Sequence, residues 1–122
     1  MSEVADVRVR RVYERVESGD GARVLVDRLW PRGLSKEAAR LDAWLKDVAP
    51  SSELRKWYGH RAAAYEEFAE RYRAELAAEP ARGALRELRE LAGQGPVTLL
   101  TATRELDLSH TTVLVELLHK GV

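Results

Sequence analysis

The sequence predicts an α/β domain in which a small, mostly parallel sheet is flanked by helices in three layers. Two observations carry this prediction. The runs Val24-Leu25-Val26 and Val97-Thr98-Leu99-Leu100 are short, β-rich and apolar without strict alternation, as strands buried on both faces should be. Apolar stripes at helical spacing lie between and after them, supplying the crossovers that parallel strands require. The chain has 122 residues, which fits one domain spanning 1–122.

A first strand is expected over 7–13, carrying Val7, Val9, Val12 and Tyr13, with Arg8 and Arg10 on one side. Ser18, Gly19 and Asp20 mark a turn, and a second strand follows over 23–29. Trp30-Pro31-Arg32-Gly33 ends it, because proline has no N–H to give a central ladder. Ser35 is placed to cap a helix over 36–48, whose stripe is Leu41, Trp44, Leu45 and Val48. Ser51 or Ser52 caps a short helix through Leu54, Trp57 and Tyr58, stopped near Gly59. A long amphipathic helix over 62–78 carries Tyr65, Phe68, Ala69, Tyr72 and Leu76. Pro80 suits the first residue of the next helix, with Leu85, Leu88 and Leu91 inward and Gly93 and Gly95 at its end. The last strand falls over 96–102, and Asp107 and Ser109 precede a final helix bearing Val113, Leu114, Leu117 and Leu118. Trp44 and Trp57, on apolar stripes, are expected in the core, and His119 in solvent.

Composition narrows the chemistry. Hydrophobic residues are 45% and charged residues 33%, an ordinary globular balance. With no cysteine in the chain, disulfides, thiolate catalysis and cysteine-bound metals are excluded. The polar stretch over 1–11 lacks the apolar core of a signal peptide, and the longest apolar runs fall short of a membrane span. A cytoplasmic protein without membrane contact is the expectation. Net charge is zero, so bulk charge does not steer the chain to nucleic acid, although residues 7–40 hold nine Arg/Lys against five Asp/Glu. No histidine pair has ligand spacing and no dinucleotide or P-loop glycine pattern occurs, so neither metal nor cofactor is expected.

Ligands of open parallel sheets bind beyond the C-terminal ends of the strands. Two such ends are rich in polar residues: Asp27 through Gly33, and Thr101 through Glu105 leading to His110. Arg28, Arg32 and Arg104 form a candidate site for a phosphate- or carboxylate-bearing small molecule, since guanidinium groups grip such anions through paired hydrogen bonds. The same arginines also suit a structural ion-pair network with Asp27 and Asp107, and both readings stand. Asp27 would orient an arginine or act as a base. His60 and His110 are proton-transfer candidates, although a hydrogen-bonded structural role is the commoner fate of such residues. Trp30 would stack on a ring or pack beneath its loop. A non-enzymatic regulatory, protein-binding or nucleic-acid-binding module is the alternative to an anion-binding protein, and whether the chain is an enzyme stays open.

The string Val26-Asp27-Arg28-Leu29-Trp30-Pro31-Arg32-Gly33 resembles the signature of the YeaO-like branch of the DUF488 family. The likeness continues through Ala49-Pro50-Ser51, Glu53 to Trp57, His60, Tyr72 with Glu75-Leu76, and Val97 to Leu100. It implies an α/β fold but no known activity. The matching positions are Asp27, Arg28, Trp30, Arg32, Arg55, His60 and His110. Thr101 and Arg104 stand where the family tends to show tyrosine and lysine, and Ser109-His110 stands where it tends to show Asn-His. Charge is thus kept at Arg104, while the tyrosine hydroxyl and asparagine amide are lost.

Overall fold

Four strands form one parallel sheet: β1 (Val7–Arg11), β2 (Ala22–Leu25), β3 (Ala43–Trp44) and β4 (Val97–Thr101), in the order β1-β4-β2-β3. The structure, a computed structural model, describes residues 6–120, so the first five residues of the polar N-terminal stretch lie outside it. Central β4 is buried at every position. Because strand side chains alternate, Val24, Val26, Val97 and Leu99 face one core, while Leu25 and Leu100 face another. The larger core is covered by α2 (Ser52–Tyr58), α3 (Tyr65–Leu76), α4 (Ala81–Gln94) and α5 (His110–Lys120). The smaller is covered by Val12 and by Trp30, Leu34 and Leu41, from a stretch whose only helical turn is α1 (Lys36–Ala39).

The predicted helix over 36–48 is not formed. Ser35 caps a single turn, its Oγ accepting from Ala38 N at 3.0 Å, and Arg40 then turns left-handed at φ 46°. Arg23, buried at the start of β2, donates to the carbonyls of Ala39 and Arg40, which fastens the end of that turn to the sheet. Asp42 accepts from Arg23 N at 2.8 Å, Leu45 N donates to Leu25 O at 3.0 Å, and β3 adds to the sheet edge. Trp44 therefore lies on an edge strand and is 37% exposed, not in the core. Trp57 is half-buried, with the guanidinium groups of Arg61 and Arg71 over its ring.

The N-terminal end of the sheet is closed by ions. Buried Asp20 receives Arg10 and Arg23. Burial alone would raise the Asp20 pKa, but hydrogen bonds from Glu17 N and Arg23 and the two positive charges outweigh it and hold the carboxyl below 3.8. Gly21 beside it has φ 65°, and a Cβ there would meet Pro96 O at 2.1 Å.

A candidate anion-binding cleft

The opposite end of the sheet is open. Beyond β2 the chain runs through Asp27 to Arg32; beyond β4 it runs through Ala102 to Glu105 and a 3-10 turn over Leu106–Leu108 into α5. These segments, with α2 and part of α3, surround a cleft of about 860 Å³. Asp27, Arg28, Trp30, Arg32, Arg55, His60, Arg104 and His110 all line it.

Its floor is a fixed network. The Asp27 carboxylate accepts from Thr101 Oγ1 at 2.7 Å and from Ala102 N at 2.8 Å, tying the ends of β2 and β4 together. Thr101 is fully buried and turns its hydroxyl onto Asp27. His110 Nε2 lies 2.9 Å from Val26 O and 3.4 Å from Asp27 Oδ1. A carbonyl only accepts, so Nε2 carries the hydrogen and Nδ1 keeps its lone pair. Burial drives the His110 pKa below its usual 6.5 and the charge of Arg55 pushes the same way, against the Asp27 charge and the Val26 hydrogen bond. The floor is thus a neutral imidazole beside a carboxylate.

The wall is aromatic and apolar. Tyr58 and Phe68 stack with ring centroids 4.3 Å apart. The Tyr58 hydroxyl, its pKa raised by burial, donates to Leu108 O at 2.8 Å and so fixes the turn that leads into α5. Trp30 packs edge-on with Trp44 at 5.4 Å and donates from Nε1 to Leu34 O at 2.6 Å.

The arginines divide into two kinds. Arg28 is half-buried and committed: Nη2 donates to Ala49 O at 2.9 Å, Nε to Pro50 O at 3.3 Å, and Nη1 lies 4.0 Å from Asp47. Arg32, Arg55 and Arg104 are exposed at the mouth, and among the described residues their side chains make no ion pair or hydrogen bond. Neither Asp27 nor Asp107 pairs with an arginine among those residues. His60 follows Gly59, and both adopt left-handed backbone, at φ 58° and 52°. The His60 ring is exposed, tilted against Tyr58, and no hydrogen bond within the described residues reaches it.

Several lining residues were not among the candidates that sequence reasoning named. Lys56 adds a cation beside Arg55, and Tyr13, Tyr58 and Phe68 add rings. Tyr13 follows the end of β1, so the strand-end rule that found Asp27 and Arg104 also pointed to it. Tyr58 and Phe68 read as helix-stripe core, and nothing local marks one edge of that core as a cavity wall. Among the described residues no three His, Asp or Glu side chains group to hold a metal, and no helix is long and apolar enough to cross a membrane.

Residues 6–122 match the family model described as "Inactive DUF488-N3 subclade". The chain belongs to the DUF488 family. An uncharacterised protein of Mycobacterium tuberculosis (strain H37Rv) is 52% identical over 113 residues, 93% of each chain. A Mycobacterium bovis protein shows the same identity and coverage. Uncharacterised protein YeaO of Escherichia coli K12 is 41% identical over 111 residues, covering 91% of this chain and 95% of its own. No solved structure matches. Within the matched residues, the stretch over 26–33 supplies the floor carboxylate, the clamped Arg28, the Trp30 wall and the Arg32 rim.

Proposed function

We propose that the cleft binds a small molecule bearing a phosphate or carboxylate, and that it binds without turning it over. One observation carries the reading. Arg32, Arg55, Lys56 and Arg104 come from three separate segments, line one concavity, and make no carboxylate pair among the described residues. The carboxylates that line the same cleft, Asp27 and Glu105, are fewer than these cations and pair with none of them, so an anion relieves their mutual repulsion while gaining charge-assisted hydrogen bonds. The word "inactive" in the family model's description favours binding over turnover. So does the floor, where Nε2 of His110 is tied to a backbone carbonyl and both oxygens of Asp27 already accept hydrogen bonds. Zero net charge gives a nucleic-acid reading no bulk attraction.

Calorimetric titration of wild type and Arg104→Ala with inorganic phosphate and with citrate tests this. Wild type should bind at least one of them, more weakly as salt rises, and Arg104→Ala should bind it about tenfold less tightly, the loss of about 1.4 kcal/mol. Equal heats from both proteins would refute the assignment of the rim.

A further inference from the structure

Resting on that reading, we infer that the ligand is an aromatic anion, held with its charged group at the Arg32/Arg55/Arg104 mouth and its ring inserted against Trp30 and the Tyr58 side of the cleft. The argument is one of polarity along the depth of the cavity. Cations outnumber the one exposed lining carboxylate, Glu105, at the mouth. The Asp27 carboxylate stands at the floor, with its charge uncancelled by the neutral imidazole beside it. An anion is drawn to the first and repelled by the second, so it stops at the mouth. Between the two, the wall is built from Trp30, Pro31, Pro50, Tyr58, Phe68 and Leu108.

That wall is preformed. The Trp30 indole is held by its Leu34 hydrogen bond and by Trp44, and the Tyr58 ring by Phe68 and Leu108. Rigid rings lose little entropy when another ring packs on them, and aromatic contacts add to simple area burial. An inorganic anion would fill only the mouth of about 860 Å³ of space and leave the wall wet. The volume lies in the range of sites that enclose an organic ligand.

The experiment compares inorganic phosphate, cyclohexyl phosphate and phenyl phosphate by calorimetry at one pH and salt concentration. Phenyl phosphate should bind wild type about tenfold more tightly than inorganic phosphate, with cyclohexyl phosphate between them. Trp30→Leu, which keeps the side chain apolar and removes the π face, should bring phenyl phosphate down to the cyclohexyl value. Arg104→Ala should weaken all three alike. Equal affinities for phenyl and inorganic phosphate, both weakened by Arg104→Ala, would overturn the aromatic inference and leave the anion site standing. Equal affinities for the phenyl and cyclohexyl compounds in wild type would also overturn it, since apolar volume alone would then be read. No binding by any of the three would overturn the anion site itself. Because the decisive ratios are read in wild type, poor folding of a variant does not blunt the test.

Discussion

Arg28 and Arg104 border the same cleft and do different work, and the difference is measurable. Arg28 gives two hydrogen bonds to the carbonyls of Ala49 and Pro50, both residues buried, where the chain turns into α2. Truncating it leaves those acceptors without their donor, so Arg28→Ala should lower unfolding stability by about 1–3 kcal/mol in urea titrations. Arg104 touches no acceptor among the described residues, and Arg104→Ala should stay within about 0.5 kcal/mol of wild type. Equal losses in the two variants would contradict the division. Residue types and their common edge of the sheet were legible in the sequence, because strand ends place side chains by a general rule. Which guanidinium would be consumed by backbone carbonyls was not legible, since Ala49 and Pro50 carry no side-chain signal for it.

At the scale of elements, α2 deserves the first test because it carries Arg55 and Lys56 to the cleft. Ser51 Oγ accepts from Leu54 N at 3.1 Å, and the Ser51 backbone N–H and hydroxyl both donate to Glu75 of α3. Ser51→Ala should therefore cost about 1–2 kcal/mol, the upper part of the range for an N-cap, with Ser51→Thr recovering most of it. An unchanged denaturation midpoint for Ser51→Ala would show that Glu75 alone fixes the helix start. Gly21→Ala should cost more than an ordinary surface change, since the added Cβ meets Pro96 O at 2.1 Å where β2 enters the sheet. Strands β2 and β4 and the long helices were readable from apolar runs and periodicity. The stretch over 36–48 was not. Leu41, Trp44, Leu45 and Val48 have helical spacing, yet the Arg23 clamp and the Asp42 and Leu45 hydrogen bonds to β2 draw the chain into an edge strand. Those partners lie about twenty positions away in sequence, beyond the reach of any local pattern.

Across the whole molecule, each end of the sheet holds a buried group that titrates on acidification, and both make stability depend on pH in the same direction. At the open end, the pKa of His110 is depressed below 6.5 by burial. As pH falls through 6.5 the unfolded chain takes up this proton before the folded one, so stability is lost from there downward to the folded pKa. At the closed end, the Asp20 pKa is held below 3.8 by its hydrogen bonds and the charges of Arg10 and Arg23. Its contribution is complete above 3.8 and is lost only as pH falls toward the lower folded value. The free energy of unfolding should then decline in two separated steps on acidification. His110→Gln should flatten the upper step and leave the lower one in place. Asp20→Asn should remove the lower step and cost about 3–5 kcal/mol at neutral pH, because Arg10 and Arg23 then lose their buried counter-charge. Urea unfolding across the acid range reads both limbs, and an upper limb that persists in His110→Gln would place its origin elsewhere. Since an anion at the mouth lies near Arg55, whose charge acts on His110, bound phosphate should raise the imidazole pKa toward 6.5 and shrink the upper step, which then ends at a higher pH.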